Sequence, residues 1–192
     1  LENKLDPEDP NHHFIHEIKR ESKRCKKIVQ DLLNYSRTPQ PEFAETDLNQ
    51  LLDQIISFAA NHTDMHSVGI DKKLTDDLPT LLIDGDQIRQ VAINLILNAG
   101  AAMEDGGLLT VTTFREEDDV VMTFADSGSG IDEADLERIF EPFYTTKDRG
   151  TGLGLAITKQ IIEQHHGSIQ MTSRLNQGTT VTIRLPLVRE EF

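Results

Sequence analysis

From His12 to Ser36 the chain contains neither Pro nor Gly, and it then places Pro39 and Pro41 two residues apart. Within the uninterrupted stretch, Ile15, Ile18, Ser22, Cys25, Val29 and Leu32 recur at alternating spacings of three and four, the seam of a coiled coil. Lys19, Arg20, Lys23, Arg24, Lys26 and Lys27 fall on the opposite face, so the segment is one amphipathic helix of about seven turns. Such a seam requires a partner helix. Thr38-Pro39-Gln40-Pro41 must end the helix, because each proline lacks an amide donor and pushes its predecessor toward extended geometry. The organisation expected is a leader over residues 1–10, the helix over 11–38, a linker over 39–42, a compact domain over 43–189 and a tail over 190–192.

Beyond the linker the hydrophobic period changes repeatedly. Thr46 and Asp47 are capping residues ahead of LNQLLDQIISFAA, whose leucines and isoleucines make a helical face. VGIDKKL and TLLI read as short strands. Asp84 or Asp86 caps a second helix, Gln87 to Met103, with Ile88, Val91, Leu95, Ala99 and Ala102 on one face and Gly106-Gly107 as its stop. LLTVTTF and VVMTFAD, joined by REEDD, make a hairpin. A Gly-rich irregular region from Asp126 to Gly152 leads into a third helix, LGLAITKQIIEQH, stopped by Gly167. SIQMTSR and TTVTIRLP form a last hairpin around Asn176-Gln177-Gly178. The pattern predicts a two-layer α/β sandwich: a mixed, mostly antiparallel sheet packed on three helices, preceded by the long helix.

Composition narrows the function classes. With 19 Lys and Arg against 33 Asp and Glu, the formal charge of −14 argues against coating a nucleic acid. That total hides an asymmetry: residues 1–40 hold 8 basic and 7 acidic residues, net +1, and the remainder hold 11 and 26, net −15. No apolar run approaches the roughly 18 to 20 residues that span a bilayer, and no secretory signal opens the chain, so neither a membrane contact nor export is expected. A single cysteine, Cys25, makes no internal disulfide and suits a reducing cytoplasm. The start at Leu1 without Met is read as a fragment of a longer protein.

Chemistry concentrates in three places. Glycine clusters occur at DSGSG (126–130) and GTGLGL (150–155), with Gly178 before Thr179-Thr180. Glycine lets backbone amides approach a ligand closely, and the second cluster runs straight into a helix, which suits phosphate binding, although a Gly-rich turn is often only a turn. Asn94 and Asn98 lie one turn apart within the otherwise apolar VAINLILNAGAAM. They are either satisfied core amides or oxygen ligands for a hard cation such as Mg²⁺. Mg²⁺ and phosphate loops together imply a nucleotide. FEPFYTTKDRG, between the clusters, supplies Phe140 and Phe143 as apolar plugs, Thr145 and Thr146 as hydroxyl donors and Lys147 as a cation, the features of a lid that closes over a triphosphate. The plain alternative is a surface loop with two buried phenylalanines.

In order along the chain, NLILNAGAAM, ADSGSGI, FEPFYTTK, GTGLGL and GTTVTIRLP resemble the N, G1, F, G2 and G3 boxes of the ATP-binding domain of sensor histidine kinases, over roughly residues 43–188. The TTK form of the F box is similar to that of nitrogen-regulator kinases. The resemblance implies the ATP-binding fold of the Bergerat type, with ATP and Mg²⁺ as ligands. It implies that Asp126 accepts the adenine amine, that Gly128 and Gly130 admit the base beside Ile131, and that Thr179 supports the pocket. It makes Asn98 the favoured Mg²⁺ ligand with Asn94 beside it. It gives the phosphate tail to Lys147 and the amides of Gly152, Leu153, Gly154 and Leu155, with Thr145, Thr146, Gly150 and Thr151 completing the set. His165-His166-Gly167 departs from the usual His-Gly-Gly and is read as a turn variant in which neither histidine is a catalyst. In the gyrase, chaperone and mismatch-repair ATPases of the same superfamily, the residue at position 94 is a water-activating Glu. An amide there is no general base, so transfer to an acceptor is favoured over hydrolysis.

A sensor kinase phosphorylates a histidine on the first helix of a dimerising hairpin. His16-Glu17-Ile18-Lys19-Arg20 is a partial match, but it lacks the Asn-Pro of that motif and leaves only about twenty residues before Pro39 for the rest of the hairpin. The run ending in Asp31-Leu32-Leu33-Asn34-Tyr35-Ser36-Arg37 instead resembles the second hairpin helix, so the phosphoacceptor is expected outside this chain. The implied partners are a phosphoacceptor helix, a second subunit of a homodimer and the receiver domain of a response regulator, which receives the phosphoryl group from phosphohistidine. The implied location is cytoplasmic, compatible with a membrane-anchored parent. Two rivals are carried: a serine kinase of anti-sigma-factor type and a non-catalytic nucleotide-binding module.

Overall fold

The computed structural model describes residues 10–36, 40–147 and 150–187. The expected leader, the breaker at Pro39 and the tail therefore fall wholly or largely outside the described residues. Helix α1 (Pro10–Ser36) carries the heptad seam. Of that seam, Ile18 is 66% exposed and Val29 55%, so the stripe is without cover along much of its length. On the basic face, the side chains of Lys23, Arg24 and Lys27 lie outside the described residues, and Arg20 is ion-paired with Glu17. Helix α1 touches the α5 helix (Gly154–Gln164) of the following domain.

The domain itself begins with β1 (Ala44–Thr46) and α2 (Leu48–Ala59), whose first turn is capped by Asp47 accepting from the Gln50 N–H. After a 3-10 turn at Thr63–Met65 come β2 (Val68–Leu74), β3 (Leu81–Ile83) and α3 (Gly85–Ala102). Of the two candidate caps, Asp84 is the one used: its side chain accepts from the Asp86 and Gln87 N–H groups, so α3 starts two residues earlier than the apolar period alone suggests. The helix stops at Ala102, and Gly107 opens β4 (Gly107–Glu116) instead of belonging to the stop. Strand β5 (Asp119–Asp126), the four-residue helix α4 (Glu133–Leu136), α5, β6 (Ser168–Arg174) and β7 (Gly178–Pro186) complete the fold.

The main sheet has the order β2-β4-β5-β7-β6, antiparallel except for the β2–β4 pair. Strands β1 and β3 form a separate two-stranded sheet, with Ala44 opposite Ile83. Alternation along β4, β5 and β7 buries Leu109, Val111, Val120, Met122, Phe124, Val181, Ile183 and Leu185 against α2, α3 and α5, whose buried residues include Leu52, Ile55, Ile88, Ile96, Ile161 and Ile162. This is the two-layer sandwich on three helices. Among the described residues no helix is long and apolar enough to cross a membrane.

The His165-His166 turn has a structural role. His165 is 2% exposed; the Asp84 N–H donates to its Nε2 (3.0 Å), so its proton sits on Nδ1 and is donated to the Ile161 carbonyl (2.8 Å). Phe43 packs edge-on against the ring, and the Glu42 N–H donates to Asp84 Oδ2 (2.9 Å). The chain entering the domain is thereby fastened to the N-terminus of α3.

Candidate nucleotide site

One face of the sheet, α3, α5 and the segment between β5 and α5 surround a cavity of about 860 Å³. Its base is the end of β5. Asp126 Oδ1 accepts from the Gly128 N–H (2.9 Å) and the Thr179 N–H (3.2 Å), which ties β5 to β7 and leaves Oδ2 with no protein partner among the described residues. Burial pushes the Asp126 carboxyl above the ordinary value of 3.8; those two amides and the charge of Lys147 oppose the shift without cancelling it. Phe124, Val181 and Met171 supply apolar wall beside it.

Asn94 and Asn98 both reach the cavity from α3. The Asn94 Nδ2 donates to Thr158 Oγ1 on α5 (2.9 Å). Its Oδ1 lies against Gly154, where a Cβ would stand 2.5 Å away, so a glycine at the first residue of α5 makes room for this amide. Asn98 makes no side-chain hydrogen bond among the described residues, which leaves its oxygen available to a cation. Among the described residues no cluster of three His, Cys, Asp or Glu could hold a metal. A donor set of amide oxygens with few protein ligands fits Mg²⁺ in the form that takes its remaining ligands from phosphate and water.

Over the cavity lie Tyr144, Thr145, Thr146 and Lys147, and beside them Gly150, Thr151, Gly152, Gly154 and Leu155 at the start of α5. Gly130, Ile131 and Thr179 also line it. Two expected residues stand back from it. Gly128 packs on the end of α3, where a Cβ would be 2.5 Å from the Ala102 carbonyl oxygen, and Leu153 is fully buried in the core. The reading of Phe143 as an apolar plug is corrected: it is 59% exposed. Its N–H donates to the Gly152 carbonyl (2.9 Å) from a left-handed backbone with φ of 68°, and in this conformation the ring faces solvent. Phe140 remains half-buried, with Lys159 Nζ 5.8 Å from its ring centroid. The lid is held instead by Tyr144, whose hydroxyl donates to Asp135 while Arg138 stacks 4.3 Å from its ring centroid.

Sequence reasoning missed Tyr144, Thr158, Met171 and Val181. Their signal is positional: Thr158 lies one turn after Gly154, and Val181 shares the inward face of β7 with Thr179.

The state of Asp126 makes a pH prediction. Because Oδ1 already accepts two N–H groups, a proton must go to Oδ2, turning the free acceptor into a donor. Its raised folded-state pKa means the carboxyl favours the folded protein at low pH and disfavours it as pH rises through that pKa, whereas binding of an amine-bearing base runs the other way. Nucleotide affinity should therefore fall as pH is lowered, starting above the range of a surface aspartate. Calorimetric titrations across pH should show this in the wild type and a flatter profile in Asp126→Asn; superimposable profiles would refute it.

Comparison with known proteins identifies the family of this domain. Residues 83–189 match the family described as histidine kinase-, DNA gyrase B- and HSP90-like ATPase. Sporulation kinase E of Bacillus subtilis (strain 168) is 35% identical over 175 residues, which are 91% of this chain and 24% of that protein, so the chain spans about a quarter of that relative's length. The full-length ShkA structure in complex with AMPPNP superposes with a TM-score of 0.82 at 25% identity, covering 99% of this chain and 41% of that one. Histidine kinase ThkA in complex with the response regulator protein TrrA gives 0.78 at 28% identity, covering 96% and 53%. By the family match, by the relative and by the shared fold, this chain belongs to the histidine kinase-, DNA gyrase B- and HSP90-like ATPases and carries the ATP-binding catalytic module of the sensor histidine kinase type.

Proposed function

We propose that the chain binds Mg²⁺·ATP and passes the γ-phosphoryl group to a histidine on a phosphoacceptor helix outside it, for relay to a response-regulator aspartate. The observation that carries this is the convergence on one cavity of a carboxylate able to accept a base amine, an α3 amide with no side-chain hydrogen bond among the described residues and the N-terminus of α5 beneath a Lys-bearing lid. In this reading Asp126 orients the adenine. The amides of Gly152, Gly154 and Leu155 and the Lys147 ammonium hold the phosphates, while Leu153 stands back in the core, and Asn98 with Asn94 presents oxygen to Mg²⁺, which would neutralise phosphate charge when bound. Catalysis is then positioning and charge neutralisation, with the acceptor imidazole as nucleophile. Asn94, clasped by Thr158 and bearing no basic group, does not activate water. The helix α1 would pack its exposed stripe against the phosphoacceptor helix and a second subunit, and the domain division at the linker follows from this. The structure of ThkA with a response regulator supports the partner class.

Mixing the protein with a separate phosphoacceptor hairpin, Mg²⁺ and labelled ATP should place acid-labile label on that hairpin's histidine and none on His16. Label on His16, or none on the hairpin despite tight ATP binding, would overturn the transfer reading. Asn98→Ala should weaken Mg²⁺-dependent ATP binding by about tenfold while leaving metal-free binding near its original level, a loss typical of one hydrogen-bond-scale contact. Unchanged affinity and unchanged Mg²⁺ dependence in the variant would remove Asn98 from the metal site.

A further inference from the structure

We propose that Ser173, a residue of β6, sets the hydrogen-bond polarity of the base pocket and thereby makes it selective for a base edge that carries an amino group. The hydroxyl of Ser173 is the meeting point of three hydrogen bonds. The Ile131 N–H donates to Ser173 Oγ (2.8 Å); Ser173 Oγ donates to the Gly178 carbonyl (2.9 Å); and Ser173 Oγ lies 3.0 Å from Thr179 Oγ1. A hydroxyl has one proton and two lone pairs. The proton of Ser173 is committed to Gly178, whose carbonyl can only accept, so the hydrogen bond between the two hydroxyls must be donated by Thr179. That turns the Thr179 proton away from the cavity and leaves its oxygen facing inward as an acceptor.

Thr179 is 8% exposed and lines the cavity beside Asp126. The pocket floor therefore offers two acceptors, Thr179 Oγ1 and Asp126 Oδ2, and among the described residues no side-chain donor between them. An exocyclic amine satisfies that arrangement directly or through one water. A carbonyl in the same place meets lone pairs on both sides, and buried polar groups left unpaired are what give strong discrimination. Ser173 acts through Thr179 and Ile131, so it is a positioning residue. This inference rests on the nucleotide reading above and deepens it by naming what selects the base.

ATP and inosine triphosphate differ at this edge, amine against carbonyl, and serve as the probes. Their dissociation constants are to be measured for the wild type, Ser173→Ala, Ser173→Thr and Thr179→Ala, with thermal unfolding of each. The wild type should prefer ATP. In Ser173→Ala the Thr179 hydroxyl is free to turn its proton inward, so the preference should fall by about tenfold, mostly through improved or unchanged inosine triphosphate binding against weakened ATP binding. Ser173→Thr, which keeps the hydroxyl, should retain it. Thr179→Ala should lose the preference to a similar degree, and that variant decides the matter if Ser173→Ala does not fold. Equal weakening toward both nucleotides in Ser173→Ala, or full preference retained in Thr179→Ala, overturns the inference while leaving nucleotide binding intact. A wild type that binds neither nucleotide overturns the nucleotide reading itself.

Discussion

Asp126→Asn should bind ATP about a hundredfold more weakly than the wild type and unfold at the same temperature or higher, the affinity loss matching one charged hydrogen bond plus a new donor clash. The amide cannot escape by flipping. The Gly128 and Thr179 N–H groups both point at Oδ1, so the amide oxygen is held there and the NH₂ is forced into the position of Oδ2. A donor then faces the base amine. Stability moves the other way because desolvation is the largest influence on this carboxyl, raising its pKa, and a neutral amide escapes that cost. Calorimetry for binding and scanning fluorimetry for unfolding check the two halves. A variant that binds ATP normally would show that Asp126 does not read the base.

Gly178→Ala should destabilise the domain by about 3 kcal/mol or more, from a left-handed backbone penalty combined with overpacking, and should abolish nucleotide binding in whatever remains folded. Gly178 has φ of 88°, and an added Cβ would stand 1.9 Å from the Asp126 carbonyl oxygen. Relief requires β7 to move away from the end of β5, which is the base of the cavity. Gly85→Ala is the matched comparison: its nearest neighbour would be a Thr46 methyl at 3.9 Å, at a normal helical backbone, and it should be neutral or slightly stabilising. Chemical denaturation of both variants tests the pair, and similar stabilities would refute the steric account.

The helices α2, α3 and α5 and both hairpins were legible because their stability signals are local: apolar period, capping aspartates and Gly-bearing turns. Strand β1 was not, since Ala44, Glu45 and Thr46 carry no alternation and exist as a strand only by pairing with β3. The parallel β2–β4 pairing has no local mark either, as register between distant segments is written in packing. At the site the glycine clusters and the two asparagines stood out because each is locally unfavourable and so demands a reason. Thr158 and Ser173 are ordinary residues of a helix and a strand; what they hold becomes visible only when α3 and β7 are set beside them. Phe143 misled because an aromatic residue in a loop is ordinarily buried, and the left-handed conformation that seats its amide on Gly152 is a property of the assembled lid.

The bond from the Thr179 amide to Asp126 joins positions 53 residues apart, and Asn94 meets Thr158 across 64. The residues that line the cavity run from Asp86 to Val181, and no short segment contains it, so the unfolded protein has nothing with which to recognise a nucleotide. A bound ATP is for this reason a folding ligand as well: at a hundred times its dissociation constant it would add about 2.7 kcal/mol to the stability of the domain. A rising nucleotide supply would protect the protein from unfolding and proteolysis as it fills the site, and under the proposed function abundance and activity would respond to one small molecule together.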